Sequence, residues 1–307
     1  MNILYVYDEP NWALHNVGKY WASVLGSDYR FTFIRRDEHE RYDPREFNCV
    51  FWGCAGMPMG SRPLLLWRRL FPGDYKVWLA IKDYTIISVI HDPCEIFPQR
   101  ESWRHAQPRL RHLRRYARLA VTSNEMQRVM RELGYDCLRI STNSTLELRD
   151  PVTINEEPLK IVTKANNHRR KNLPMFRELQ AAYRSRVARF DAYIGLYTLP
   201  EPEYIRLIDE YNCYLCTSWQ EGGPLPLMDA MRRGCAVLTT PVGQTDELVQ
   251  DGFNGFFCKT RSGFAERIEF LAGRPDLLYD MRLNSLKVSA ERTGERVREQ
   301  LAAFLAR

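Results

Sequence analysis

Short apolar runs alternate with longer amphipathic stretches from the first residue of the chain onward. Each apolar run closed by polar or turn-forming residues predicts a strand, each stretch with apolar residues every three or four positions predicts a helix, and their regular alternation predicts parallel sheets flanked by helices. The predicted strands of the first half are Ile3 to Tyr7, Phe31 to Ile34, Cys49 to Trp52, Thr85 to Ile90, Leu119 to Thr122 and Cys137 to Ile140. Between Ser144 and Pro158 the sequence "STLELRDPVTINEEP" turns polar and acidic with two prolines, and it is the best linker candidate. The pattern restarts with strands at Lys160 to Thr163, Ala192 to Gly195, Cys213 to Cys216 and Ala236 to Thr239. Two turn dipeptides follow in Asp251-Gly252-Phe253-Asn254-Gly255, and the chain from Gly263 to Arg307 reads as helices. The expected organisation is an α/β domain over 1–150, a second over 155–285 and a C-terminal helix over 286–307.

Ligands of open α/β sheets sit outside the carboxyl ends of the strands, so two such units predict a cleft between them, lined by the loops that follow strands. Composition adds limits. A hydrophobic fraction of 45% and a charged fraction of 27% in 307 residues are those of a globular protein and exclude disordered, collagenous and coiled-coil classes. The net charge of +6 suits anionic substrates or an anionic membrane surface and falls short of a nucleic-acid-binding signature. No apolar stretch reaches the length of a membrane span, and the start reads as a strand without a basic leader, so the expected compartment is the cytoplasm. Eight cysteines lie scattered in apolar segments, as reduced core thiols do. Cys213 and Cys216 have the CxxC spacing, but in a strand their side chains would face opposite sides.

The segment "TSWQEGGPLPLMDAM", Thr217 to Met231, follows a predicted strand and carries the densest chemistry. Pro226 predicts the first position of a helix, and the amides at Gly222, Gly223, Leu225 and Leu227 are expected to point into the cleft, where a helix start attracts phosphate. Glu221 and, eight positions on, Asp229 are acceptor-only carboxylates suited to vicinal hydroxyls of a hexose or a ribose. An acid in a first helical turn also stabilises the helix, by about 0.3–1 kcal/mol, with no ligand involved.

The longer segment "SWQEGGPLPLMDAMRRGCAVLTTPVGQTDELVQDGFNGFF", Ser218 to Phe257, resembles the donor site of retaining GT-B glycosyltransferases of family 4. The resemblance implies an α/β GT-B fold, two Rossmann-like domains facing a central cleft, with an acceptor-side N-terminal domain, a donor-binding C-terminal domain and a last helix packing back towards the first. It gives Glu221 the donor sugar and Asp229 the ribose, with Asp standing where the family has Glu and Gln244 where a second Gly is common. In "KIVTKANNHRRKNL", Lys171 resembles the lysine that clamps donor phosphates, with Lys164, Arg169 and Arg170 as candidates for its partner; a solvated basic loop is the plain alternative.

His91, at the end of the apolar strand in "IISVIHDPCEIF", is either a hydrogen-bonded structural residue or, as the resemblance implies, the counterpart of a family histidine close to the donor sugar, which it would hydrogen-bond. The loop after the first strand, Asp8-Glu9-Pro10-Asn11-Trp12, lacks the family's Gly-rich turn; Asn11, Trp12 and His15 form either an acceptor platform or helix packing. Between Arg100 and Arg118 seven arginines face one acid, a solvated helix face or a cationic patch for anionic lipid or a charged acceptor. With no Asp-x-Asp, Walker A, His-Glu-x-x-His or Gly-x-Ser-x-Gly in the sequence, no cofactor is expected, and transfer would depend on cationic side chains and helix amides. The sequence thus points to a glycosyltransferase using a nucleoside diphosphate sugar and a glycan or lipid-linked acceptor, or to a non-catalytic GT-B-fold binding or scaffold protein with a nucleotide pocket.

Overall fold

Successive side chains along β1 (Asn2–Tyr7) go to opposite faces of a sheet, and both faces are covered. Leu4 and Val6 join Val50, Trp52, Ile90 and Val121 in one core cluster. Tyr5, between them, meets Trp21 and Phe51 on the other side. A strand buried on both faces needs a continuous apolar run, which is why the run itself, without alternation, marks these strands in the sequence. The computed structural model describes residues 1–11, 13–38, 41–55, 86–91, 110, 113–114, 116–151, 157–195 and 199–306.

The first unit, Met1–Ser141 with Gly294–Arg307, has a parallel sheet in the order β2-β1-β3-β4-β5-β6. The further strands are β2 (Arg30–Arg35), β3 (Cys49–Trp52), β4 (Ile86–Ile90), β5 (Arg118–Val121) and β6 (Leu138–Arg139). Helix Ala13–Leu25 buries Val17, Trp21 and Leu25, a helical spacing, against this sheet. Helix Asn124–Glu132 is capped by Ser123 Oγ, which accepts from the Met126 amide at 3.1 Å. The last helix, Gly294–Ala306, buries Leu301 and Phe304, and the Phe304 carbonyl accepts from Arg118 Nη1 at 2.6 Å.

The second unit, Thr142–Thr293, has a parallel sheet in the order β11-β10-β9-β7-β8. Its strands are β7 (Lys160–Ala165), β8 (Arg189–Ile194), β9 (Cys213–Cys216), β10 (Ala236–Thr239) and β11 (Gly255–Phe257). Odd and even positions again serve different layers. Cys213 and Leu215 of β9 pack with Ala236 and Leu238 of β10 against Phe176, Phe264 and Ile268. Tyr214 and Cys216 pack with Val237 against Tyr204, Leu227 and Met231. The CxxC thiols therefore lie in separate layers, as strand geometry requires. The stretch proposed as a linker is tied to this unit at its start: Leu146 is buried in the second layer, and the Arg149 amide donates to the Arg232 carbonyl at 2.9 Å. No helix among the described residues is long and apolar enough to cross a membrane.

Candidate functional site

In the second unit strand order reverses between β7 and β9, because β8 adds on one side of β7 and β9 on the other. Loops leaving the two strands diverge at such a point and open a site at their carboxyl ends. Here the two loops are also bonded to each other. Thr217 Oγ1, just past β9, donates to the Lys171 and Asn172 carbonyls at 3.1 and 3.2 Å, and the Trp219 amide donates to the Arg170 carbonyl at 2.7 Å. The loop after β7 turns through the 3-10 segment Arg169–Lys171 and the left-handed Asn172 (φ 50°) into helix Leu173–Tyr183.

That geometry places Lys171 Nζ 2.5 Å from Glu221 Oε1, which also accepts from Ser218 Oγ at 2.6 Å. Glu221 is only 5% exposed. Both donors converge on Oε1, so Oε2 remains available as an acceptor. The fold thus brings Glu221 and Lys171, two residues of the expected donor-side set, into direct contact.

Helix Leu225–Arg232 starts one residue before the expected Pro226, which takes the second position, where its missing N–H costs no hydrogen bond. The Leu225 amide donates to the Gly223 carbonyl at 2.8 Å and the Leu227 amide to the Pro224 carbonyl at 2.9 Å. These two amides are therefore spent inside the turn, a correction to the expectation that Leu225 and Leu227 present them to a ligand. The amides of Gly222 and Gly223 make no hydrogen bond among the described residues.

The backbone of this loop is held by the next one. Gly243 has φ 58°, and a Cβ there would lie 2.3 Å from the Glu221 carbonyl oxygen and 2.4 Å from that of Gly222. The Gln244 amide donates to the Gly222 carbonyl at 2.8 Å. Its buried side chain donates from Nε2 to Thr142 Oγ1 at 2.9 Å and accepts on Oε1 from Arg292 Nη2 at 3.2 Å. Gln244, a departure from the resembling family, thus acts as a tie under the loop.

Asp229 stands in a second cluster. Oδ1 accepts from Ser144 Oγ at 2.6 Å and Oδ2 from the Tyr204 hydroxyl at 2.9 Å. Lys164, near the end of β7, holds its ammonium 3.5 Å above the Tyr204 ring. Burial pushes the Asp229 carboxyl above the ordinary aspartate value, against the opposing pull of Ser144, Tyr204 and Lys164. Burial lowers Lys164, and the Asp229 charge opposes that shift. Sequence reasoning missed Ser144 and Tyr204, which lie 85 and 25 positions from Asp229 and carry no local signal. Ser218 sits three residues before Glu221 and was legible as a neighbour.

In the first unit, strand order reverses at β1, with β2 on one side and β3 on the other. The loop after β1 contains Asn11 in the left-handed region (φ 61°), and its amide donates to His15 Nδ1 at 2.8 Å. His15 stacks on Tyr7 with ring centres 4.1 Å apart, and burial and then Lys19 lower its pKa. It is held neutral, with Nδ1 as the acceptor. Asn11 and His15 thereby close the start of helix Ala13–Leu25. His91 follows β4, with Nε2 2.7 Å from the Gly53 carbonyl, so Nε2 carries the proton. Trp12 and most of the basic segment from Arg100 to Arg118 lie outside the described residues.

Residues 196–287 match the family model of Glycosyl transferases group 1, a span that includes Glu221 and Asp229. Among solved structures, Anabaena Alr3699/HepE in complex with UDP and glucose is similar over 100% of this chain and 99% of its own, with TM-score 0.73 and 12% identity. Sucrose-phosphate synthase (tll1590) from Thermosynechococcus elongatus is similar over 99% of this chain and 98% of its own, with TM-score 0.67 and 15% identity. The pneumococcal O-GlcNAc transferase GtfA in complex with UDP and GlcNAc is similar over 84% of this chain, with TM-score 0.60 and 15% identity, and this chain covers 56% of its length. No curated protein matches the sequence. Two parallel-sheet α/β units with these structural likenesses give the chain the two-domain, Rossmann-like GT-B fold that the sequence predicts.

Proposed function

We propose that this chain is a retaining, metal-independent hexosyltransferase that moves a sugar from a nucleoside diphosphate sugar to a hydroxyl of a glycan, lipid or small-molecule acceptor. The observation that carries the reading is the Lys171–Glu221–Ser218 cluster at the switch point between β7 and β9, with Glu221 inside the segment that matches Glycosyl transferases group 1.

In this reading Oε2 of Glu221 accepts from a donor-sugar hydroxyl. Lys171, with Lys164 or Arg170, offsets charge on the departing diphosphate, and the Gly222 and Gly223 amides add dipoles directed at the same oxygens. Asp229 takes the ribose, and His91 hydrogen-bonds the sugar. The bond from the anomeric carbon to the phosphate oxygen breaks while the acceptor oxygen bonds to the same face. The acceptor proton passes to the leaving phosphate oxygen. The basic segment from Arg100 to Arg118 provides peripheral contact with anionic membrane, and failure of liposomes containing anionic lipid to retain the protein at low salt would remove that element.

Calorimetry with UDP, GDP, ADP and dTDP tests the donor site, and UDP leads the panel because HepE and GtfA were solved with it. Selective binding of one diphosphate is expected. Glu221→Ala should then lower turnover at least about tenfold, or about 1.4 kcal/mol in the barrier. Native turnover in that variant would overturn the assignment. A second reading, a nucleotide-binding scaffold without chemistry, draws on Asp229, whose two oxygens already have protein donors. Slow hydrolysis of the donor without acceptor separates the two, since a scaffold shows none.

A further inference from the structure

Four segments distant in sequence meet at Asp229. Ser144 comes from the entry into the second unit, Lys164 from β7, Tyr204 from helix Glu201–Asp209 and Asp229 from helix Leu225–Arg232. Ser144 and Tyr204 donate to different oxygens of the carboxylate, and two such bonds fix the plane of a group that otherwise rotates freely. An ionised carboxylate has two acceptor positions on each oxygen. One on each is occupied, so each oxygen can still accept one further bond, which suits two hydroxyls on adjacent carbons.

Tyr204 does a second thing. Its ring carries the Lys164 ammonium at 3.5 Å, and no carboxylate among the described residues lies within ion-pair distance of that lysine. A cation over an aromatic face, although it feels the Asp229 charge, is not tied into a direct ion pair and can turn to an incoming anion. One tyrosine therefore connects an acceptor for a diol with a cation for an anion, at a separation set by its rigid ring. A nucleotide carries a diol and a phosphate on one ribose.

We propose that Tyr204 is a positioning residue that orients Asp229 for the ribose diol of the nucleoside diphosphate and spaces it from Lys164, so that the short aspartate reads ribose only as a Tyr204–Asp229 pair. The proposal rests on the donor-site reading above.

The test is calorimetry of UDP, GDP and ADP, each against its 2′-deoxy form, on the full chain. The native protein should prefer the ribose form of its nucleotide by about tenfold or more. Tyr204→Phe keeps the ring and the cation contact but removes the hydroxyl. It should bring the ribose-to-deoxyribose ratio to about one while leaving affinity for the deoxy form within about twofold. Asp229→Asn should lower the ratio equally, and adding Tyr204→Phe to it should change nothing more, because the two act as one unit. If Tyr204→Phe folds poorly, Asp229→Asn alone still decides, since a native ribose-to-deoxyribose ratio in that variant overturns the proposal. A native ratio in Tyr204→Phe, additive effects in the double variant, or equal native binding of both forms overturns the proposal and leaves the donor reading standing. Absence of any nucleotide binding by the native protein overturns the donor reading and this proposal with it.

Discussion

Lys171 and Glu221, fifty positions apart in the chain, form an ion pair of 2.5 Å with side-chain exposures of only 13% and 6%. The pair closes the junction of the loops after β7 and β9, and Ser218 shares the same carboxylate oxygen. Taking two charges out of water is costly, and the cost is recovered only while each has its partner. Lys171→Ala leaves a buried carboxylate with Ser218 as its one remaining donor. The expected loss is about 3 kcal/mol of stability, read as a lower urea midpoint. Lys171→Met with Glu221→Gln removes both charges and should recover most of that stability without recovering turnover. A double variant as unstable as Lys171→Ala would show that the unpaired charge is not the cause.

Gly243 is expected to be intolerant of any side chain for two separate reasons. Its φ of 58° costs a non-glycine residue about 1–2 kcal/mol, and the added Cβ would meet the Glu221 and Gly222 carbonyl oxygens head-on. Gly134 has φ 82° with nothing within 4 Å of its Cβ direction, so Gly134→Ala isolates the backbone cost. Gly243→Ala should destabilise more than Gly134→Ala and should also weaken nucleotide binding by pushing the 221–223 loop away. Equal thermal shifts in the two variants would remove the steric part of the argument.

Arg282 is 2% exposed, donates from Nε to the Gly234 carbonyl at 2.9 Å and lies 2.5 Å from Glu157 Oε2. Burial works against the Glu157 charge, but the bond from Lys160 and the charge of Arg282 win and hold its pKa below the ordinary glutamate value of 4.5. A carboxyl lowered in the folded state contributes stability that is fully present above the unfolded pKa and is lost as pH falls through the folded one. Urea melts should show the native protein losing this contribution below about pH 4.5. Glu157→Gln should cost about 3 kcal/mol at neutral pH and flatten the acid limb. An acid limb identical to that of the native protein would exclude Glu157 as its source.

Strands buried on both faces were the most legible part of the chain. Cys49–Trp52, Cys213–Cys216 and Ala236–Thr239 appear with the bounds their apolar runs predict, because every position there is buried. Strands at the sheet edges were less so. β6 is only Leu138–Arg139 within the expected Cys137 to Ile140, and β11 (Gly255–Phe257) was not predicted, being three residues that become a strand by pairing with β10. Of the strand Thr85 to Ile90, residues Ile86–Ile90 are found and Thr85 lies outside the described residues.

By itself the sequence determined the two α/β units, the loops that follow their strands, and the placing of Glu221 and Lys171 in such loops and of Asp229 on the helix after one of them, since apolar period, proline and glycine act over a few neighbouring residues. Tertiary structure alone decided which donors meet which carboxylate. Glu221 takes Lys171 and Ser218, whereas Asp229 takes Ser144 and Tyr204 beside Lys164, and the Leu225 amide turns inward to Gly223. Those pairings depend on the strand order β8-β7-β9-β10-β11 and on which helix each layer buries. Hydrogen bonds act over about 3 Å of space whatever the separation along the chain, so no local pattern encodes them.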